Sequence, residues 1–399
     1  MNPKNNRSSF SGKIGFVLSA AGASVGLGNI WRFPYLAAKY GGGIFLLIYI
    51  VLALTFGYTM IVAESALGRM TRKSPVGAFQ SFGKKKWMSF GGWINAVIPI
   101  LIVPYYSVIG GWVIKYLIEY FAGHSKTLAG DAYFTTFISN GWSTEICFII
   151  FTLFTLGIIY AGVRNGIERV SRFMMPILIV LSLIIAVYSV TRPGAIEGVK
   201  YFLVPNFDHF SWMTVVSAMG QMFYSLSIAM GILITFGSYM KKDTSIEKST
   251  ENVEIFDTAI AIMAGLMIIP AVFAFSGGNA ETLKSGPALM FITIPKVFAN
   301  MGFGTAIGIV FFLLVLFAAV TSSIALTESA VSTFEDELHW SRKKSTVFMG
   351  MVMLLLGTLS CLGYGPLANF KILGMQFLDF FDFITNSVMM PIAAIATCL

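Results

Sequence analysis

The chain of 399 residues is 56% hydrophobic and only 12% charged, about half of the charged fraction that is typical of soluble domains. This composition excludes a water-soluble globular protein and predicts a single membrane domain, residues 1–399, that crosses a lipid bilayer many times. The net charge of +8 would suggest an acidic partner in a soluble protein, but here we attribute the basic residues to membrane topology. The sequence indicates no nucleic-acid partner and identifies no protein partner.

Ten segments are apolar and long enough to cross a bilayer, which takes about 20 residues of helix. They are residues 14–37, 43–68, 90–121, 146–162, 173–190, 212–240, 255–275, 304–334, 345–361 and 373–398. With the loops assigned alternately to the two sides, 18 of the 27 lysines and arginines fall on the side of the N-terminus. Because basic residues are enriched in cytoplasmic loops, we predict a cytoplasmic N-terminus and a location in the plasma membrane. The last segment ends at residue 399 without a flanking charge, so we expect a C-terminally truncated sequence.

Two of these segments contain residues that a continuous apolar helix would not. The first is interrupted near residues 23–29, where glycines lie close to Asn29 and Arg32. The sixth is interrupted near residues 225–231, where two serines and a glycine break the apolar run. Backbone that leaves the helix at this depth must be buried in protein or line a polar cavity, and ionisable groups there usually mark a path for substrate or ions. A kink at which small residues only let helices pack closely is the alternative.

The two breaks occupy corresponding positions in two sets of five segments, residues 14–190 and 212–399. An odd number of spans per set inverts the second set relative to the first, and paired broken spans mark the midplane site of many secondary transporters. At each break, free carbonyl groups attract cations and free amide groups attract anions. One break could therefore hold a sodium ion and a carboxylate side by side, which suits a zwitterionic amino acid as the substrate.

Polar side chains within other segments also need an explanation. The hydroxyl groups of residues 321–323, in the eighth segment, either bond back to their own helix or offer uncharged oxygen ligands to a cation. Glu64 and Asp257 are carboxylates at membrane depth, where such groups should be paired or should face a cavity. Asp382 in the tenth segment is a candidate partner for Arg32.

The sequence gives no indication of an enzyme. Cys147, Cys361 and Cys398 have neither the spacing of metal ligands nor that of a disulfide framework, and the three histidines fall in predicted loops. No histidine, cysteine or pair of carboxylates has a catalytic spacing within one span. We therefore predict no catalytic residues and no transition-metal site.

These motifs resemble the neurotransmitter:sodium symporter family, and in particular its bacterial amino-acid transporter branch. The resemblance extends from about Arg7 to the end of the chain and is strongest over residues 21–35, which are followed by three glycines. Further matches are residues 64–69, 221–227, 321–323 and 335–338. The resemblance implies an all-α fold of the LeuT type, an inverted five-helix repeat in which helices 1 and 6 are broken. It also implies sodium-coupled symport of amino acids by alternating access, and a sodium-dependent amino-acid sensor or a channel on the same scaffold is the alternative.

The resemblance implies substrate contacts for thirteen residues around the two breaks. The substrate's carboxylate would meet the amides of Leu27 and Gly28 and the hydroxyl of Tyr106, in the space that Gly26 leaves by lacking a side chain. Its ammonium would meet the carbonyls of Ser24, Tyr224 and Ser225. Its side chain would lie among Val25, Ile102, Tyr224, Ser227, Met230, Ser322 and Leu326. Because the Met230 thioether adapts to varied shapes, we expect a hydrophobic or aromatic amino acid, although the methyl group of Ala229, where relatives commonly have glycine, would trim the pocket.

The resemblance also implies two sodium ions as cofactors. The first would be bound by the Ser24 carbonyl, by the side chains of Asn29, Ser225 and Asp257, and by the substrate's carboxylate. The second would be bound by the carbonyls of Gly22, Val25 and Ala318 and by the hydroxyls of Thr321 and Ser322.

Two gates follow from the same resemblance. Arg32 and Asp382 would form the outer gate beneath an aromatic lid of Tyr106 and Tyr224, and Arg7 and Asp336 would form the inner gate. Glu64 would hold the unwound part of the sixth span. The outer stretch 275–304 is compatible with a folded-back lid and with a plain connector.

One departure from the family pattern bears on the ions. Tyr49, Gln221 and Ser225 remain from the set that surrounds chloride in chloride-dependent members, but Asp257 stands where asparagine is common and Ala261 where serine or glutamate is common. Asp257 would supply the negative charge that chloride supplies elsewhere. We therefore expect transport that does not require chloride.

Overall fold

The computed structural model describes residues 8–83, 86–277 and 287–398. Nearly all of this part of the chain is helical, and its only β-type pairings are isolated bridges such as that between Gly42 and Pro205. The all-α prediction therefore agrees with the structure, and the spans are numbered below in the predicted order.

Ten spans can be traced, two of them as pairs of helices. Their bounds are Lys13–Ser24 with Gly28–Lys39 for span 1, Gly43–Thr71 for span 2, Lys86–Phe121 for span 3, Gly141–Tyr160 for span 4, Val163–Val190 for span 5, Trp212–Ser225 with Ile232–Ser238 for span 6, Ile246–Ser276 for span 7, Gly304–Glu337 for span 8, Arg342–Leu362 for span 9 and Phe377–Cys398 for span 10. Shorter helices cover Pro75–Gln80, Ser125–Leu128, Tyr133–Ser139, Ala195–Leu203, Phe207–His209 and Leu289–Ala299.

The number of spans is slightly below the predicted ten when only length and composition are considered. In the described ranges, eight helices are individually long and apolar enough to cross a bilayer, and the two halves of span 1, which meet at 51°, make a ninth. The halves of span 6 are each too short to cross, so this span counts only when both are joined across residues 226–231. Several helices also extend beyond the apolar segments, because polar end turns continue a helix without contributing to hydropathy.

Both predicted breaks are present. In span 1 the helix leaves its regular path at Val25 and Gly26 and resumes before Gly28. In span 6 the chain is non-helical over residues 226–231, with positive φ values of 55° at Ser227 and 60° at Ala229. Positive φ is unfavourable for residues with a side chain and persists only where the surroundings impose it, often at functional sites.

The packing of the bundle places the two breaks side by side. The first half of span 1 packs against spans 5, 7 and 8, and the second half of span 6 packs against span 2. This last contact is unusually close, because a Cβ atom at Gly68 would collide with the carbonyl oxygen of Ile234 and one at Gly237 would collide with that of Ser65. The long span 3 packs against spans 4, 8 and 9 and closes the other side of the bundle.

Part of the outer stretch 275–304 is helical. Leu289–Ala299 forms a short apolar helix within the stretch 275–304, whereas residues 278–286 of that stretch lie outside the described residues.

Candidate functional site

A small cavity of about 30 Å³ lies between the two breaks. Its walls are formed by Ala23, Ser24, Gly26, Leu27, Gly28, Asn29, Ile102, Tyr106, Tyr224, Ser225, Ser227, Met230, Ile232, Ser322 and Leu326. Twelve of the thirteen predicted substrate residues are in this set, and Val25 is the exception.

Two residues that line the cavity, Ala23 and Ile232, were not predicted as site residues. Ala23 belongs to the last turn before the first break, and Ile232 begins the second half of span 6 directly after the positive φ of 69° at Gly231. That turn brings Ile232 to the cavity wall. The glycine at position 231 was the available signal in the sequence, because glycine adopts positive φ without steric cost.

The amide end of the first break lies against two tyrosines. The Leu27 amide donates a hydrogen bond to the Tyr106 hydroxyl over 3.3 Å, and the Tyr224 ring lies so close to Gly28 that a Cβ there would collide with it. A Cβ on Gly26 would lie 2.6 Å from the Ser322 hydroxyl and 3.2 Å from that of Tyr106. Gly26 therefore keeps open the space beside these amide and hydroxyl groups.

A cluster of uncharged oxygens joins span 1 to span 8. The Ser322 hydroxyl lies 3.3 Å from the Gly22 carbonyl oxygen, 3.1 Å from that of Ala23 and 3.4 Å from that of Val25. The neighbouring Thr321 hydroxyl lies 3.2 Å from the Ala318 carbonyl and 3.0 Å from that of Phe317, within its own helix. Thr321 therefore bonds back to its own helix, as one of the two alternatives predicted, whereas Ser322 reaches across to span 1. The five residues predicted for the second sodium ion lie together, and their hard neutral oxygens suit an alkali cation.

Asp257 lies at the centre of a second polar cluster, which is completely buried. Its carboxylate accepts hydrogen bonds from the Asn29 amide nitrogen over 2.8 Å, from the Ser225 hydroxyl over 2.9 Å and from the Tyr49 hydroxyl over 2.9 Å. The Asn29 side-chain oxygen accepts from the Gly26 amide over 3.1 Å, which ties the cluster to the first break. Three of the four side-chain and backbone contributors predicted for the first sodium ion, Asn29, Ser225 and Asp257, are in direct contact, and Ser24 lines the same cavity as Asn29 and Ser225.

Gln221 belongs to the set of residues that surrounds chloride in chloride-dependent members, but its side chain does not donate to Asp257. Its side-chain nitrogen donates to the Gly28 carbonyl over 3.1 Å, and its buried side-chain oxygen has no hydrogen-bond partner among the described residues. Ala261, one turn beyond Asp257, is fully buried and offers no polar group. Asp257 is therefore the anionic group to which the donors in this region point.

Arg32 and Asp382, which were predicted to form the outer gate, make no direct ion pair in the described part of the chain. The Arg32 guanidinium lies over the Tyr224 ring at 4.9 Å from its centroid. Asp382 accepts hydrogen bonds from the Tyr105 hydroxyl over 3.2 Å and from the Asn386 amide over 2.6 Å. Tyr105 and Asn386 were not anticipated, and the sequence offers no local signal for a contact between spans 3 and 10.

On the other side of the bundle, Asp336 accepts a hydrogen bond from the Ser74 amide over 2.6 Å. Its predicted partner Arg7 lies outside the described residues. Glu64, which is fully buried, accepts a hydrogen bond from the Ala229 amide over 2.8 Å and so contacts the unwound part of span 6 as predicted from the resemblance.

A buried ion pair on this side was missed. Glu328 in span 8 is fully buried and accepts two hydrogen bonds from Arg342, over 3.0 and 2.6 Å, and one from the Tyr239 hydroxyl over 2.7 Å. Glu328 is a carboxylate within an apolar span, the same signal that pointed to Glu64. The pair links the end of span 6 to spans 8 and 9.

Comparison with known proteins gives consistent matches along the chain. A family model described as the sodium:neurotransmitter symporter family matches residues 7–151 and 136–399. An uncharacterized sodium-dependent transporter of Bacillus subtilis, YhdH, is 36% identical over 393 residues, which covers 98% of this chain and 86% of the relative. An uncharacterized sodium-dependent transporter of Methanocaldococcus jannaschii is 31% identical over 407 residues, covering 98% and 80% of the two proteins. The crystal structure of MhsT in complex with L-phenylalanine superimposes with a TM-score of 0.89 and 36% identity, covering 99% of this chain and 90% of that one.

Proposed function

The chain belongs to the sodium:neurotransmitter symporter family and is a membrane-embedded, sodium-dependent symporter rather than an enzyme; from this premise we propose that it imports a hydrophobic or aromatic amino acid together with sodium. Transport would occur by alternating access across the plasma membrane, with the N-terminus in the cytoplasm and two inverted repeats forming one transporter domain.

The observation that carries this proposal is the composition of the cavity between the breaks. At one end, the Leu27 amide and the Tyr106 hydroxyl meet beside the open space at Gly26, which is suited to a carboxylate. The cavity is also lined by Ile102, Met230, Ile232 and Leu326, which are suited to an apolar side chain. Small-molecule sites commonly combine an apolar wall with a few polar groups that fix orientation. The complex of the similar MhsT with L-phenylalanine is consistent with this substrate class.

The polar clusters support two sodium sites. The first ion would be bound near Asp257, Asn29 and Ser225 with the Ser24 carbonyl and the substrate's own carboxylate. The second would be bound by the carbonyls of Gly22, Val25 and Ala318 with the hydroxyls of Thr321 and Ser322. Because one ion would share the substrate's carboxylate, each ligand would raise the affinity for the other, and this linkage is reciprocal.

Chloride independence is supported by the hydrogen bonds of Asp257. The hydroxyl groups of Tyr49 and Ser225 and the amide of Asn29 all donate to its carboxylate. These donors would otherwise be available to an external anion. The Asp257 carboxylate would then supply, at every stage of the transport cycle, the negative charge that chloride supplies in chloride-dependent members.

Uptake into proteoliposomes tests the proposal. The purified protein is reconstituted and given an inward sodium gradient, and labelled phenylalanine, tryptophan, tyrosine and leucine are compared with alanine and glutamate. We expect concentrative uptake of the hydrophobic amino acids, which is abolished when choline replaces sodium and unchanged when gluconate replaces chloride. Saturable binding without concentrative uptake would favour the sensor, and flux that does not saturate would favour the channel.

A further inference from the structure

A groove on the outside of the bundle lies where span 9 begins, away from the cavity between the breaks. Its volume is about 310 Å³. It is lined by Trp340, Lys343, Lys344, Val347, Phe348 and Met351. Val347 and Met351 are 58% and 57% exposed, so one end of the groove opens onto the surface that faces the bilayer.

The opposite end of the groove carries two positive charges held by aromatic rings. The Lys343 ammonium lies 5.6 Å from the centroid of the Tyr160 ring, and the Lys344 ammonium lies 4.1 Å from that of Trp340. Neither lysine has an ion pair with a carboxylate in the part of the chain that the structure describes. The neighbouring Arg342 is already paired with the buried Glu328. Two ammonium groups thus remain available at the surface, and cation–π contacts restrict where they lie.

The local helix adds to this positive charge. Lys343 and Lys344 lie in the first turn of span 9, which contains no acidic residue. A helix N-terminus already carries a partial positive charge and is stabilised by anions. Two lysines in that turn are therefore unfavourable by themselves, and an anionic group between them would compensate both the side chains and the helix end.

We propose that this groove binds an anionic phospholipid of the surrounding leaflet. The headgroup phosphate is held by the ammonium groups of Lys343 and Lys344, and an acyl chain lies along Val347, Met351 and Leu355, which follow one another at helical spacing on the exposed face of span 9. Basic pockets at the ends of membrane helices select anionic headgroups in this way. The apolar part of the groove favours a lipid over free phosphate, because a soluble anion would leave that surface uncovered.

Native mass spectrometry of the detergent-solubilised protein, titrated with phosphatidylglycerol and with phosphatidylcholine, tests the proposal. The double variant Lys343→Gln with Lys344→Gln is compared with Lys242→Gln with Lys248→Gln, which removes the same charge from exposed lysines outside the groove. We expect phosphatidylglycerol to bind the parent protein more tightly than phosphatidylcholine. The groove variant should bind it about 30-fold more weakly, the equivalent of about 1 kcal/mol for each lysine, and the control variant should bind as the parent does.

Two further arms separate the alternatives. Replacing both lysines with arginine keeps the charge and should retain phosphatidylglycerol binding, which also shows that the site tolerates substitution. Glycerol 3-phosphate, which has the headgroup charge without acyl chains, should not compete with the lipid. Equal loss in the groove and control variants, or full competition by glycerol 3-phosphate, would overturn the proposal. A parent protein that is a dimer in the same spectra and a groove variant that is a monomer, with lipid binding unchanged, would assign the groove to a second copy of the chain and would equally overturn the proposal.

Discussion

The charge of Asp257 can be tested at the scale of a single residue. In Asp257→Asn, the side-chain oxygen that could bind sodium remains, but the negative charge that accepts hydrogen bonds from Tyr49, Asn29 and Ser225 is lost. Donors left without an acceptor in a buried site are costly, and an external anion can satisfy them. We expect the variant to transport only when chloride is present, as measured by uptake in chloride and in gluconate. Uptake by the variant that is the same in both media would contradict the assignment.

Tyr106 tests the position of the substrate's carboxylate. Tyr106→Phe removes the hydroxyl beside the Leu27 amide and leaves the ring, which is 4% exposed, in place. A lost hydrogen bond of this kind costs about 1 kcal/mol or more when it involves a charged group, which corresponds to roughly a fivefold weaker substrate affinity. Equilibrium binding of labelled phenylalanine at saturating sodium measures the change. Tyr105→Phe is the matched control, because its hydroxyl bonds to Asp382 at the outer gate instead; equal losses in both variants would exclude the proposed pose.

At the scale of the elements, Ser322 connects two helices and Thr321 does not. The Ser322 hydroxyl is within hydrogen-bond distance of three carbonyls of span 1, whereas that of Thr321 bonds within span 8. If both are sodium ligands, Thr321→Ala with Ser322→Ala should sharply raise the sodium concentration needed for half-maximal uptake. Ser322→Ala alone should have the larger single effect, because it also removes the link to span 1. Ser323→Ala is the control, since its hydroxyl contacts Thr155 instead, and unchanged sodium activation in the double variant would count against the second site.

The contact between span 2 and span 6 predicts a second effect at this scale. A methyl group at Gly68 would collide with the Ile234 carbonyl, so Gly68→Ala should push the second half of span 6 away from span 2. Such overpacking typically costs about 1–3 kcal/mol, and we expect a lower melting temperature of the purified protein and weaker substrate binding. Gly157→Ala is the control, because a methyl group there would meet nothing within 4 Å and alanine is the better helix former. A melting temperature of Gly68→Ala that matches the control would contradict this account.

The elements also show why sequence reasoning succeeded in some places and not in others. The two breaks were predictable, because glycine, serine and asparagine inside an apolar run are local signals that do not depend on the rest of the fold. The contact of Asp382 with Tyr105 was not, because Tyr105 lies 277 positions away and only the packing of span 3 against span 10 brings the two together. A count of spans based on helix length omits span 6, because its break leaves two helices that are each too short to cross a bilayer.

At the scale of the whole molecule, the motifs sufficed for the fold class and the family, and both predictions are confirmed by the family model and by the match to MhsT. The long glycine-containing block at the first break, residues 21–35, is specific enough to identify the family without any distance information. The buried pair of Glu328 and Arg342 could not be found in this way, because a carboxylate in a helix does not reveal which of many cations it meets. The gate pairs, Arg32 with Asp382 and Arg7 with Asp336, remain predictions. The ion sites also remain predictions, and the experiments on Asp257, Thr321 and Ser322 address them.

The proposed coupling of sodium to substrate would be a property of the entire bundle, because the ligands proposed for the two come from spans 1, 3, 6, 7 and 8. If the first ion shares the substrate's carboxylate, sodium should raise the affinity for phenylalanine, and phenylalanine should raise the affinity for sodium by the same factor, since binding linkage is reciprocal. Couplings of this kind are typically about 5- to 150-fold, and equilibrium binding over a grid of both concentrations measures them. Phenylethylamine, which lacks the carboxylate, is the control ligand, and sodium should not raise the affinity of the protein for it. Equal coupling for both ligands would mean that the carboxylate does not join the ion, and the link would then have to run through the movement of span 1 against span 8 at Ser322.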